Sequence, residues 1–123
     1  MNSLELIALK DFPDVEPGNN IVELIVNNLN TNNILIDDFD VIVIAQKVIS
    51  KAENRYIDLD NINISDQANK LALKLKKDKG LVQAIINESN KIISTKKNVI
   101  VVEHKLGFIN INAGIDQSNI PQA

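Results

Sequence analysis

The hydrophobic and polar positions along the chain follow two periods, and the changes of period predict its strands and helices. Apolar runs at 4–9 and 41–45 predict strands, and the uninterrupted run at 41–45 is typical of a strand covered on both faces. Residues 98–103 predict another buried strand. Residues 56–59 and 108–112 alternate apolar and polar side chains, which predicts short, half-exposed strands.

Three segments carry apolar side chains at helical spacing. The first follows Asn19 or Asn20, and either can cap a helix because an Asn side chain accepts hydrogen bonds from the first turn. The second runs over about 66–76 after a Ser65 cap, and the third from 81 to about 94. The predicted inward side chains are Ile21, Leu24, Ile25 and Leu29 in the first, Ala68, Leu71 and Leu75 in the second, and Val82, Ile85, Ile86 and Ile92 or Ile93 in the third.

Turn-forming segments separate these elements. Residues 12–18 contain two prolines and a glycine and predict a loop, and Asp-Lys-Gly at 78–80 ends the second helix. Residues 46–53 are helical or turn-like. The order is close to β-α-β-β-α-α-β-β, and its adjacent strands and successive helices argue against a regular doubly wound sheet. We therefore predict an α+β fold with a mixed β-sheet and about three helices.

Length and composition predict one ordinary domain. The chain has 123 residues, of which 45% are hydrophobic and 24% charged, as in soluble globular proteins. Aromatic residues are only 3%, so Ile, Leu and Val must fill the core. There is no cysteine, which excludes disulfides and thiol nucleophiles.

Charge and hydropathy narrow the expected partners and location. The net charge is −3, with no basic stripe and few aromatic side chains for base stacking, so nucleic acid is not expected as a partner. The first residues lack the features of a secretory signal, and no apolar run has the roughly 20 residues of a membrane helix. We therefore expect a cytoplasmic protein that does not bind membranes.

Gln46, Lys47 and Lys51 form the first group that could carry chemistry, because they follow the predicted strand at 41–45. If 46–53 is helical, the two lysines are four residues apart and share a face. Their ammonium groups repel each other unless an anion lies between them, and a polyphosphate suits that position. Two ordinary surface lysines on a solvated helix remain the alternative.

A second group lies near the end of the chain and is rich in side-chain oxygen. It comprises Asn110, Asn112, Asp116, Ser118 and Asn119, with Gly114 permitting a tight turn between them. Magnesium and manganese prefer such oxygen ligands, completed by water or phosphate. The alternative is a polar turn in which these side chains bond to the backbone.

Other candidates carry less weight. His104 is the only histidine, and without carboxylate partners in the pattern we expect a structural role for it. No base is identifiable near Ser50, and Glu53 with Arg55 suggests a local ion pair. Neither common glycine-rich phosphate loop occurs, so any nucleotide must be held in another way.

Taken together, these segments resemble the coenzyme F-420:glutamate ligase family over nearly the whole chain. The resemblance is carried by four stretches in order: F-P-D-V-E-P-G-N-N, D-V-I-V-I-A-Q-K-V-I-S-K-A-E-N-R, K-D-K-G-L-V-Q-A-I-I-N-E-S and G-F-I-N-I-N-A-G-I-D-Q-S-N. The second and fourth are long and the most specific. Where the family has S-K-A-E-G-R, this chain has Asn54, the best substitute for glycine if the backbone there is left-handed.

The resemblance implies a GTP-dependent ligase that joins L-glutamate to the deazaflavin precursor of coenzyme F-420 through a phosphorylated carboxyl intermediate. It implies magnesium or manganese as the divalent metal and a homodimer as the assembly, and it assigns no catalytic side chain. Asp116 matches a metal ligand. The matches to GTP contacts are Phe12, Pro13, Asp14, Val15, Gln46, Lys47, Lys51 and Asn119.

Length is the main departure from that family, whose members are roughly twice as long. We expect residues 1–123 to be the N-terminal part of the ligase-like domain, truncated at its C-terminus and inactive alone. Two alternatives stay open: a related glutamate ligase with another acceptor, such as a folate, and a non-catalytic nucleotide-binding or assembly module.

Overall fold

The computed structural model describes residues 2–118 and divides the chain into two compact units that meet in sequence between Tyr56 and Ile57. Helices and an antiparallel sheet confirm the α+β class. The helices are α1 (Ile21–Thr31), α2 (Gln46–Ala52), α3 (Asp66–Leu75) and α4 (Lys79–Asn87). The strands are β1 (Ser89–Lys96), β2 (Val99–His104) and β3 (Ile109–Ile111), followed by a 3-10 turn at Asn112–Gly114.

In the first unit, α1 begins where the sequence predicts. The Asn20 side chain accepts hydrogen bonds from the amides of Val22 and Glu23 at 3.1 and 3.3 Å, which confirms the predicted cap. Ile25 and Leu29 are buried, as expected of the inward face. The helix therefore forms from a local cap and one apolar stripe.

The predicted strands at 4–9 and 41–45 are wrong, because both segments lie outside regular secondary structure. Leu4 and Val43 are each 87% exposed, so these apolar runs are not covered within the described chain. A strand needs a hydrogen-bonded neighbour, and residues 2–118 provide none for either run. An apolar run indicates a preference for extended backbone, but a strand also needs a neighbouring strand with which to form hydrogen bonds.

The predicted strand at 56–59 is wrong for a local reason. The Asp58 carboxylate accepts hydrogen bonds from the Asp60 amide at 3.0 Å and from the Asn61 side chain at 2.6 Å, and this closes a turn. These two hydrogen bonds lower the pKa of the Asp58 carboxyl below its ordinary value, and the bond from the Asn61 side chain has the larger effect.

In the second unit, α3 and α4 are two separate helices as predicted. Ser65 accepts from the Ala68 amide at 3.1 Å and caps α3, which confirms that prediction. Lys76 ends α3 in the left-handed conformation. Asp78 then caps α4 by accepting from the Leu81 amide at 2.8 Å. The predicted break at 78–80 is therefore a cap followed by the first turn of α4.

The third predicted helix is too long, because α4 ends at Asn87 and the residues after it form β1. β1 pairs with β2 in antiparallel register, with Ile92 opposite Val102 and Thr95 opposite Ile100. Cross-strand pairing of β-branched residues outweighs the helical spacing of the two isoleucines in this segment. The predicted strands at 98–103 and 108–112 are confirmed as β2 and β3.

The sheet has the order β1-β2-β3 and is antiparallel throughout, where a mixed sheet was predicted. α3 and α4 share one apolar core with β2. Its buried members are Ala68, Ala72, Leu75, Leu81, Val82, Ile85, Ile100, Val102 and Ala113. Within residues 2–118, no helix has the length and apolar character that a membrane crossing requires.

Candidate functional site

The lysine pair predicted to face an anion lies on α2 in the first unit. Residues Gln46–Ala52 form a helix, so Lys47 and Lys51 are one turn apart and share a face. Both lysines are half-buried, whereas Gln46 is exposed. In the described part of the chain, no carboxylate lies within ion-pair distance of Lys51. The helix therefore places the two lysines on one face, and the anion between their ammonium groups stays a prediction.

The end of α2 is fixed by a left-handed turn immediately after Lys51. Asn54 has a φ of 53°, which confirms the conformation expected from the substitution of glycine by asparagine. The amide of Asn54 donates to the Lys51 carbonyl at 3.0 Å, and the amide of Arg55 donates to the Ser50 carbonyl at 2.9 Å. This pair of hydrogen bonds is a Schellman cap, in which Ser50 has a backbone role.

The loop at 12–18 is joined to α2 by its last residue. The Gly18 amide donates to the Ala52 carbonyl at 2.9 Å, and Gly18 has a φ of 86° that favours glycine. Val15 anchors the loop because only 7% of it is exposed, while Pro13 and Asp14 are exposed. Phe12 is half-buried. The predicted loop and the lysine helix therefore belong to one folded unit and are joined by a backbone hydrogen bond.

Asn28 on α1 and Asn32, the C-cap of that helix, bind the backbone at Lys10, shortly before this loop, and the sequence reasoning missed them. The buried Asn28 side chain donates to the Lys10 carbonyl at 2.9 Å, and Asn32 donates to the same oxygen at 3.3 Å. Asn32 also donates to the Asn28 side-chain oxygen at 3.2 Å. The signal in the sequence was two asparagines four residues apart, at the end of α1 and at its C-cap.

The oxygen-rich group near the end of the second unit is divided by the structure. Asn112 accepts from the Ile100 amide at 3.1 Å and is therefore part of the turn that supports β2. The side-chain oxygen of Asn110 is buried without a hydrogen-bond partner among the described residues. Asp116 is exposed, and Asn119 lies outside the described residues. Asp116 is thus the group on which a metal assignment depends.

The Asp116 carboxylate is held by Ser118. One carboxylate oxygen accepts from the Ser118 amide at 2.9 Å, and the other accepts from the Ser118 hydroxyl at 3.0 Å. Residues 2–118 contain no group of three or more histidine or acidic side chains that could hold a metal. A single exposed carboxylate does suit Mg²⁺, which keeps several waters and is often bound through one carboxylate plus phosphate oxygens. The metal site remains a prediction.

His104 has the structural role that was expected. Its ring stacks on Phe108 with centroids 4.6 Å apart, and its Nδ1 accepts from the Leu106 amide at 3.0 Å. Its Nε2 lies 3.6 Å from the Glu88 carboxylate. The stacking and the Nδ1 hydrogen bond lie at the turn between β2 and β3, while the nearby Glu88 carboxylate is a partner that the sequence pattern did not show.

Comparison with known proteins gives a consistent result. The family model described as F420-0:Gamma-glutamyl ligase matches residues 10–123. A coenzyme F420:L-glutamate ligase of Methanothermobacter thermautotrophicus is 41% identical over 117 residues, which cover 95% of this chain and 46% of that protein. The enzyme of the same name from Methanocaldococcus jannaschii is 47% identical over 85 residues, covering 69% of this chain and 34% of that protein.

A more distant relative shows how far the similarity extends. The coenzyme F420:L-glutamate ligase of Halorubrum lacusprofundi is 33% identical over 124 residues, with 96% of this chain and 47% of that protein covered. The chain therefore spans about half the length of the curated relatives that it matches from end to end. Because the family model covers residues 10–123, the chain belongs to the F420-0:gamma-glutamyl ligase family.

Proposed function

We propose that this chain is part of a GTP-dependent ligase that forms an amide bond between L-glutamate and the deazaflavin precursor of coenzyme F420. The observation that carries the proposal is the match over residues 10–123 to the F420-0:gamma-glutamyl ligase family, together with relatives named coenzyme F420:L-glutamate ligase. The pair of half-buried lysines on α2 supports the nucleotide part of the proposal. Partners and substrates are proposed for the whole protein.

The chemistry explains why a nucleotide is needed. A carboxylate is a poor acyl donor, because its leaving group would be an oxide. Transfer of the γ-phosphoryl group from GTP to the acceptor carboxylate releases GDP and gives an acyl phosphate. The glutamate amine then attacks the carbonyl carbon and loses a proton, and the C–O bond to phosphate breaks. The reaction consumes one GTP for each amide formed.

In this scheme Lys47 and Lys51 bind the phosphate groups. Both lie on the same face of α2, and the Schellman cap at Asn54 fixes the end of that helix, so the ammonium groups start from a rigid backbone. Positioned cations stabilise charge on a transferred phosphoryl group. The exposed residues Pro13 and Asp14 present the loop at 12–18 to the nucleotide.

Asp116 is the proposed ligand for a divalent metal. When bound, Mg²⁺ or Mn²⁺ would neutralise phosphate charge. The hydrogen bonds from Ser118 orient the Asp116 carboxylate, which lies exposed at the surface. Asp116 and the lysine helix lie in different units.

We further propose that the protein forms a homodimer. In the first unit Leu6 and Val41 are 86% and 82% exposed, and a monomer rarely leaves such apolar runs uncovered. Sedimentation equilibrium of the chain tests this directly, with a monomer mass at all concentrations as the contrary result.

Titration of the full chain with a fluorescent GTP analogue tests the nucleotide site. The Lys51→Ala variant should bind about tenfold more weakly, because a charge-assisted contact to phosphate is lost. Lys70→Ala is the matched control, since Lys70 is an exposed lysine on α3, and it should bind like the parent. Unchanged binding of Lys51→Ala would refute the assignment.

The metal proposal needs its own measurement. Mn²⁺ binding can be followed by the water-proton relaxation rate, in the presence of the GTP analogue. Asp116→Asn keeps the size and the hydrogen-bond acceptor but removes the charge, and it should weaken Mn²⁺ binding about tenfold. Asp66→Asn, an exposed carboxylate in the first turn of α3, is the control. Equal Mn²⁺ affinity in both variants would remove Asp116 from the site.

A further inference from the structure

A basic groove lies in the second unit, away in sequence from the loop and helix described above. We define the basic groove by its lining residues, Lys74, Leu75, Lys76, Thr95, Lys96 and Lys97. It is an open concavity of about 380 Å³, and four of its six lining residues are lysines with exposed side chains. No acidic residue lines it. The protein as a whole carries a net charge of −3, so this concentration of positive charge is local.

Ion pairs within the chain do not explain why these four lysines lie together in the groove. Among residues 2–118, none of the four ammonium groups forms an ion pair with a carboxylate. Lys74 lies in the last turn of α3 and Lys76 directly follows that helix, where cations interact favourably with the helix dipole. That explanation does not extend to Lys96 and Lys97, which lie at the turn between β1 and β2.

The backbone holds both sides of the groove in fixed turns. Lys76 is in the left-handed conformation, with φ 53° and ψ 43°, and the Lys77 amide donates to the Ala72 carbonyl at 3.1 Å. On the other side, Asn98 has a φ of 62° and closes the hairpin directly after Lys97. Two short, defined turns therefore place lysines from distant parts of the sequence beside one concave surface. The half-buried Thr95 adds a neutral hydroxyl donor.

We propose that the basic groove binds a small oligophosphate anion. Lysine ammonium groups act as point charges with three donors each, which suits tetrahedral phosphate groups without requiring a planar, bidentate partner. The lining contains no aromatic residue, so the groove offers no surface for stacking a base. The recognised part of the ligand is therefore the phosphate chain, whether free or attached to a nucleoside.

Tripolyphosphate is the probe, added to the isotopically labelled full chain and followed by amide chemical shifts and calorimetry. We expect saturable shifts at residues 95–98 and 74–77, and weaker binding at higher salt. Lys96→Gln with Lys97→Gln should weaken binding about fivefold to tenfold, because two exposed charges are removed without disturbing the core. Lys74→Gln, on the opposite side of the groove, should weaken it in the same direction.

The control variant removes the same charge elsewhere in the unit. Lys70 and Lys91 are exposed on α3 and β1 but do not line the groove, so Lys70→Gln with Lys91→Gln should retain the parent affinity. An equal loss in this control would show diffuse attraction and overturn the proposal. Equal affinity for citrate would overturn the preference for phosphate, and the absence of local shifts would overturn the site itself.

The Lys51→Ala variant separates this groove from the proposed GTP site. Tripolyphosphate binding at the groove should survive that substitution, since Lys51 lies in the other unit. If GTP also shifts residues 95–98 in Lys51→Ala, the groove accepts a nucleotide's phosphates. If only tripolyphosphate shifts residues 95–98, the ligand of the groove is a free oligophosphate. Loss of tripolyphosphate binding in Lys51→Ala would assign the phosphate to the α2 site and refute the groove.

Discussion

Replacing Gly80 by alanine separates two physical effects of opposite sign. Gly80 lies in the first turn of α4, where alanine ordinarily favours the helix by about 0.5–1 kcal/mol. A Cβ at this position would lie 2.6 Å from the Leu59 carbonyl oxygen, closer than real Cβ contacts. It would also lie 3.1 Å from the Asp78 carboxylate oxygen that caps the helix. The substitution therefore has two opposite effects: the higher helix propensity of alanine stabilises α4, and the steric conflict of its Cβ destabilises it.

The steric term should dominate, because the nearest atom belongs to the backbone and cannot rotate away. Overpacking of this kind costs about 1–3 kcal/mol. With the middle of each range, about 2 kcal/mol of steric cost less about 0.75 kcal/mol of propensity gain, Gly80→Ala should lower the free energy of unfolding of the second unit by about 1 kcal/mol. The buried position of Gly80 leaves little room for relaxation.

Native-state hydrogen exchange of the Ile85 amide reports the stability of this unit, since Ile85 is fully buried in α4. Urea unfolding followed by circular dichroism gives a second measure. Lys79→Ala is the control, because Lys79 is exposed in the same first turn and its substitution should stay within about 0.5 kcal/mol of the parent. A Gly80→Ala protein as stable as the parent, or more stable, would refute the close-approach argument.

Three other substitutions test local contacts. Asn54→Val should destabilise the first unit by about 1–2 kcal/mol in urea unfolding, because a β-branched residue disfavours a φ of 53°. Asn61→Ala should raise the pKa of the Asp58 carboxyl, as measured by an NMR titration. The lowered pKa of the parent stabilises the fold at pH values above the unfolded-state pKa, and this stabilisation is lost as the pH falls through the folded-state pKa. The Asn61→Ala variant should therefore show a smaller stabilisation from Asp58. Asn28→Ala should cost about 1–3 kcal/mol, because the Lys10 carbonyl loses its shorter hydrogen bond.

Each of these has a nearby comparison. Asn54→Gly should be at least as stable as the parent, since glycine adopts positive φ without steric cost. Asn63→Ala is the control for Asn61→Ala, because Asn63 is exposed near Asn61, and it should leave the Asp58 pKa unchanged. Asn27→Ala is the control for Asn28→Ala, because Asn27 is exposed, and it should leave the free energy of unfolding unchanged. A loss in Asn54→Gly as large as that in Asn54→Val would contradict the backbone explanation.

Elements specified by local chemistry were predictable from the sequence. The Asn20 and Ser65 caps were found because their side chains act within one helical turn. The left-handed Asn54 was expected from a glycine position in the resembled family and is confirmed. The boundary between α4 and β1 was not predictable in this way, because Ile92 fits a helical face as well as a strand paired with Val102.

The candidate sites show the same limit. The spacing of Lys47 and Lys51 was informative because a helix converts it into one face. The oxygen-rich group at 110–119 stays a prediction as a metal site, and its member Asn112 is used by the Ile100 amide, a contact 12 residues away in sequence. The basic groove was not visible in the sequence, because strand pairing and helix packing bring its two sides together.

The proposed phosphate-binding groups share one structural device. Lys51 lies three residues before the left-handed Asn54, Lys76 is itself left-handed, and Lys97 directly precedes the left-handed Asn98. A left-handed residue ends an element sharply, so the side chains beside it leave from a fixed backbone rather than from a frayed end. Long lysine side chains lose considerable rotamer freedom on binding, and a rigid origin lowers the remaining cost of ordering them. In both units, therefore, backbone capping would give the lysines of the proposed phosphate sites a defined starting position.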